Sequence, residues 1–282
     1  MITKLNKYLT AVAFFAIFIL LTANLTSSSY AAGSYTIGIV PQYDQRQLFA
    51  IWKPIVDELQ NRTGLSFELV SEPKIPAFEK EFLKGSYDFA YMNPYHFLKA
   101  KKSQGYVTLV RDSAPLRGIL VVRKDSPIKK PPELNNKVVA FPSPNALGAS
   151  LLMRADLALL YHVKITPLYV QTHDSVYLHV VKGLADAGGG VQKTLSEQEK
   201  PIQDALRILH TTRDLPSHPI AVHPRVPKAD REKVRRALLE MAATKEGKEL
   251  LDKIPMKHPV SSSLDEYAVM LDWGLESFWV EE

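Results

Sequence analysis

Four short segments each close an apolar run with residues suited to holding an anion. Pro41, Gln42 and Tyr43 follow "SYTIGIV", and Asn93, Pro94, Tyr95 and His96 follow "YDFAYM". "PSPNALGAS" follows "VVAF", and Gln171, Thr172 and His173 follow "PLYV". Their polar groups are amides, hydroxyls and imidazoles, nearly all uncharged. Asparagine is a good helix N-cap and proline suits the first helical position, so Asn93 and Pro94 read as an abrupt strand-to-helix turn. The first N–H groups of a helix lack partners within it, and the helix dipole makes that end attractive to oxyanions. Ser143 and Asn145, with Gly148 and Ala149 leaving the backbone open, mark a second such junction. The alternative reading is that Ser143 and Asn145 only cap their helix.

Other chemistry finds less support. No G-x-S-x-G elbow, H-E-x-x-H pair or G-x-x-x-x-G-K-[ST] loop occurs. "DAGGGVQKT" lacks the spacing and the lysine–hydroxyl pair that would hold a nucleotide and magnesium, so it reads as a sterically open strand end. No tight metal spacing links His210, His218 and His223, which read as surface or hinge residues. The chain has no cysteine, which excludes disulfides, thiolate metal sites, a cysteine nucleophile and a lipid-bearing cysteine. A binding protein is expected, with no catalytic residue, metal or cofactor.

The elements that position these segments begin after an apparent export signal. Lys4 and Lys7 precede an apolar run from Leu9 to Leu21, and small and polar residues follow to "SSSYAAG". Cleavage after Ala31 is expected, giving a signal peptide of residues 1–31 and a periplasmic or secreted protein. An uncleaved anchor is the alternative, although the run is shorter than the ~20 apolar residues that span a bilayer. Without Lys4 and Lys7 the basic residues exceed the acidic by three, with no basic block, which argues against nucleic acid as a partner.

Beyond the signal, strands alternate with helices, which points to a parallel α/β architecture. Asp44 and Gln47 form a candidate capping box for a helix that Gly64 stops and Pro54 should kink or shorten. "GSYDFAYMNPYHF" and "GLADAGGGVQKTL" share a helix end, a glycine, an aspartate, a short apolar strand and a turn into a helix. That echo implies two similar lobes. "RGILVVRKD" and "LPSHPIAVHP" then read as the segments crossing between them, with 34–118 and 222–282 forming one lobe and 119–221 the other.

The order and spacing of these segments resemble the phosphate, phosphite and phosphonate substrate-binding proteins of ABC transporters, within the type II periplasmic binding proteins. The resemblance is carried by "GIVPQYD", "ELQNRTG", "GSYDFAYMNPYHF", "ELNNKVVAFPSPNALGAS", "HDSVYLHVVKGLADAGGG" and "LPSHPIAVHPRVP". It implies an α/β, two-lobed Venus-flytrap fold with two crossover segments. It further implies a monomer that closes on a small anionic ligand and passes it to an ABC permease in the inner membrane. By resemblance the ligand-binding positions are Tyr43, Asn93, Tyr95, Ser143, Asn145, Ala146 and His173, with Gln42 beside them. The family's loop usually offers more hydroxyls than "PSPNALGAS", and Gly188, Gly189 and Gly190 stand where aminophosphonate binders place acids. An aminoalkylphosphonate is therefore not favoured. The alternative role is a sensor whose closed form meets a membrane kinase or chemoreceptor.

Overall fold

The computed structural model of the chain describes residues 33–281, so the expected signal peptide and its cleavage after Ala31 lie outside the described residues. The strands are β1 (Tyr35–Ile39), β2 (Phe67–Ser71), β3 (Phe89–Tyr91), β4 (Val107–Asp112), β5 (Gly118–Arg123) and β6 (Val138–Phe141). They continue with β7 (Thr166–Tyr169), β8 (Ala187–Val191), β9 (Leu206–Thr211), β10 (Ile220–Val222) and β11 (Pro259–Ser261). One sheet runs β11-β4-β10-β3-β1-β2 and the other β7-β6-β8-β5-β9. Among the described residues no helix is long and apolar enough to cross a membrane.

The two sheets repeat one plan, as the internal echo implies. In each, a central strand pairs in parallel with the next strand on one side and the one after that on the other: β1 with β2 and β3, β6 with β7 and β8. A crossover is needed to regain the far side, so the turns after β1 and β3, and after β6 and β8, leave a crevice at the carboxyl ends of the strands. Beside β3 lies antiparallel β10, and beside β8 lies antiparallel β5. Both sheets are therefore mixed, not parallel throughout, because each receives a strand from the chain arriving out of the other.

The chain changes sheet at 113–117 and again at 212–219, where Leu116 and Leu215 form an antiparallel bridge. "GILVVR" lies wholly in the second sheet and "IAV" wholly in the first, so the crossings are shorter than the two quoted segments suggest. Gly118 accordingly joins the second lobe, and Ile220 and Ala221 join the first.

Local chemistry sets the helices. Asp44 accepts the Gln47 N–H at 3.0 Å to start the helix Gln45–Thr63, and Gly64 ends it in the left-handed conformation at φ 68°. Its buried stripe is Leu48, Trp52, Ile55, Val56 and Leu59. Pro54 does not shorten this helix. The segment after β6 differs from the ordinary helix expected from Leu147 onwards: Leu147–Leu151 is a π-helical turn, and the α-helix proper is Leu152–Leu159.

That turn lies directly on β8, which has room for it only because of its glycines. A Cβ on Gly189 would sit 1.9 Å from the Ala149 carbonyl oxygen and 2.6 Å from the Phe141 ring. A Cβ on Gly118 would meet the Gly148 carbonyl oxygen at the same 1.9 Å. Ala146, Leu147, Ala149, Leu151 and Val191 of the second lobe are buried in one apolar cluster with Tyr91, Met92 and Phe97 of the first, so the lobes are closed on one another. Gly189→Ala is expected to destabilise the protein by ~1–3 kcal/mol, as overpacking does, with urea unfolding as the measurement. It should also weaken ligand binding by lifting the turn.

Candidate functional site

The carboxyl ends of β1 and β3 face those of β6, β7 and β8 across the closed cleft. Between them lies a cavity of about 20 Å³, lined by Val40, Gln42, Ile75, Asn93, Leu116, Ala146, Leu147, Gly148, Ala149, His173, Val191 and His218. Its lining includes no lysine, arginine, aspartate or glutamate. Besides Ile75, which begins the helix Ile75–Lys84, and Val191, which precedes the short helix Gln192–Ser196, three further helix starts reach it. The helix Pro94–Gln104 is capped by Asn93, whose Oδ1 accepts the His96 N–H at 2.8 Å. His173 begins the helix His173–Val181, capped by Thr172 through the Ser175 N–H at 3.1 Å. In the π turn the first bonds run from the Ser150 and Leu151 N–H groups to the Ala146 carbonyl, at 2.7 and 3.1 Å. The N–H groups of Leu147, Gly148 and Ala149 precede those bonds, at the cavity wall.

Of the positions singled out in the sequence, Gln42, Asn93, Ala146 and His173 meet at this cavity. Tyr43 lines no part of this cavity but a larger one beside it, and its hydroxyl donates to Glu197 Oε2 at 2.7 Å, which ties the loop after β1 to the second lobe. Tyr95 lines no part of the cavity. Its ring is buried against Trp279 and its hydroxyl donates to Glu276 Oε2 at 2.8 Å, because the first turn of its helix directs it into the first lobe. Ser143 is buried without a hydrogen-bond partner for its hydroxyl; its carbonyl accepts the Ala146 N–H, closing a turn before the helical segment starts. The capping expected of Ser143 and Asn145 is thus not made. The His96 N–H is already taken by Asn93, and its ring nitrogen Nε2 lies 2.9 Å from Glu79 Oε1, away from the cavity.

Asn145 is fully buried and spans the lobes. Its amide nitrogen donates to Glu79 Oε2 at 2.9 Å and to the Val280 carbonyl at 2.7 Å, and its amide oxygen accepts the Val280 N–H at 3.0 Å. Its carbonyl accepts from Asn93 Nδ2 at 3.1 Å. Arg154, nearby, donates to the carbonyls of Pro144 and Phe278. The C-terminal segment is thereby strapped to the second lobe.

A family model for the periplasmic substrate-binding protein of phosphonate ABC transporters matches residues 37–267. The chain belongs to that family. In fold this binding protein is similar to PhnD1 from Prochlorococcus marinus, solved in complex with methylphosphonate, at 15% identity and TM-score 0.78 over 86% of this chain and 98% of that one. It is also similar to a binding protein component of an ABC phosphonate transporter from Pseudomonas aeruginosa, at 16% identity and TM-score 0.74 over 88% and 86%. A Xanthomonas citri protein bound to ATP matches at 16% identity and TM-score 0.72 over 87% and 98%.

Several residues that line the binding protein's cleft were not marked in the sequence, Leu116 among them, and His218, read there as a surface or hinge residue, is buried on the cavity wall. Leu116 and His218 come from the two crossover segments, and only the bridge beside them brings both to the cavity. The "SHP" within the second crossing was the available signal for His218. His218 lies 3.3 Å from the Gln42 amide nitrogen and stacks on Tyr91. Burial pushes the His173 imidazole down to about 4. Burial, together with His96 and His173 nearby, pushes His218 down to about 3. Both rings are neutral at neutral pH.

Two outcomes are expected of the binding protein. Asn145→Ala leaves a Glu79 oxygen and the Val280 backbone unpaired in a buried place, at a cost of about 1–3 kcal/mol in urea unfolding. Because the unfolded histidines take protons near pH ~6.5 while the folded ones resist, stability is complete above that pH and lost as pH falls below it, by on the order of 1 kcal/mol per pH unit for each ring. Unfolding midpoints from pH 7.5 to 4.5 should show this slope, and His218→Gln should reduce it.

Proposed function

We propose that this protein captures a small oxyanion of the phosphonate, phosphite or phosphate type in the interlobe cleft and delivers it, in the periplasm, to an ABC permease of the inner membrane. The observation that carries this reading is the convergence of three helix starts, from both lobes, on one cavity without a charged side chain in its lining. Free N–H groups and helix dipoles favour an anion there without the desolvation penalty of a buried lysine. The Gln42 and Asn93 amides and the N–H groups of Gly148 and Ala149 are the donors assigned to the oxyanion. Membership of the family supports the role, as does the fold shared with a methylphosphonate complex.

A cavity of about 20 Å³ has room for a water-sized group. A tetrahedral oxyanion is larger than that, so it enters when the lobes part and is held when they close around it on a wider cavity than this one. The protein acts as a monomer and binds without turnover.

A thermal-shift panel of phosphate, phosphite, methylphosphonate, longer phosphonates, sulfate and carboxylates tests the assignment. A ligand at 100 times its dissociation constant adds about 2.7 kcal/mol to stability, a visible rise in melting temperature. The phosphorus oxyanions are expected to stabilise the protein, and stabilisation by amino acids or sugars alone would show the oxyanion reading to be wrong.

A further inference from the structure

Next to the small cavity lies a second one of about 510 Å³, and the two adjoin along Gln42, Leu116, Val191 and His218. Its other walls come from the crossover segments, from the helix Gln192–Ser196 and from the stretch between Pro255 and His258. A bare oxyanion held at the helix starts leaves most of this space unfilled.

The wall has an apolar side made by Ala114, Pro115, Leu116 and Pro255. Its charges are unequal in availability. Arg117 is paired with Asp214, and Lys193 with Glu197. Asp112, the carboxylate on the wall, is buried and accepts the main-chain N–H groups of Ala114 at 2.7 Å and His258 at 3.2 Å. Lys257 is exposed and, among the described residues, has no carboxylate partner.

We propose that the cleft takes a phosphonate or phosphate monoester with an extended organic substituent that ends in an acid. The oxyanion sits at the three helix starts, the chain lies along Leu116 and Pro115, and the terminal acid meets Lys257. This inference rests on the oxyanion reading above and narrows its substrate class. An ammonium end would face Lys257 and find Asp112 already holding two N–H groups.

Titration calorimetry on the mature protein, with methylphosphonate, butylphosphonate, phosphonobutyrate and aminopropylphosphonate, tests it. Burying a methylene is worth up to about fourfold in affinity, so butylphosphonate should bind at least about tenfold tighter than methylphosphonate. Phosphonobutyrate should gain about a further threefold at low salt and lose that gain as salt screens it. In Lys257→Ala the advantage of the carboxylate over the plain butyl chain should vanish. In Ala114→Trp, whose ring fills part of the cavity, the butyl-to-methyl ratio should fall, with melting temperature reporting that the variant is folded. Methylphosphonate binding with no gain from chain length overturns this inference and leaves the oxyanion reading standing. Tightest binding by aminopropylphosphonate, unchanged in Lys257→Ala, overturns the acidic end group. Failure of all four ligands overturns this inference, and the oxyanion reading falls with it when phosphate and phosphite also fail to stabilise the protein.

Discussion

A polar group removed from water must find a partner, and closing two lobes over a cleft removes several at once. Asn93, Glu79, His96 and Asn145 are all buried, and the full set of hydrogen bonds that links them forms only when both lobes and the C-terminal segment contribute, while His96 Nδ1 stays without a partner. Glu79 illustrates the point. One carboxylate oxygen meets His96 of its own lobe and the other meets Asn145 of the second. Separation of the lobes exposes these groups to water and costs little in hydrogen bonding, whereas misaligned closure strands them. The network therefore selects one closed geometry, and the cleft inherits its shape from that selection.

Around this node the cleft is electrically quiet. Fixed charges lie outside the small cavity, and the two histidines on its lining are kept neutral by burial. The positive character there comes from backbone N–H groups at helix starts, whose positions are set by strands and cannot be lost by deprotonation. The glycines of β8 belong to the same arrangement. They bring the π turn down onto the sheet, and with it the N–H groups of Gly148 and Ala149 to the wall of the cavity.

The repeated strand plan explains why a two-lobed fold with such different lobe sequences stays symmetric in outline. Each sheet is completed by a strand that comes from the chain arriving out of the other, so neither sheet is finished until the crossings are made. The crossings then sit beside the cleft by construction, and Leu116 and His218 become part of its lining.

The sequence by itself determined the alternation of strands and helices, the two-lobed repeat and the Asn93 cap. These follow from short-range rules: asparagine before proline starts a helix, glycine in the left-handed region ends one, and apolar runs of a few residues between turns make buried strands. It also marked Gln42, Asn93, Ala146 and His173, because residues just beyond strand ends lie near the cleft in any such sheet. What only the tertiary structure decided is where each side chain points after that. Tyr95 and Asn93 lie two residues apart at the same helix start, yet one caps the helix at the cavity wall and the other turns into the core against Trp279, nearly two hundred positions later in the chain. Ser143 and Asn145 look like caps by type, but the turn they occupy closes before the helix begins, and Asn145 finds its partners in Glu79 and Val280. Such long-range hydrogen bonds carry no local signature, since any amide can make them and only the closed packing of both lobes brings the partner within reach.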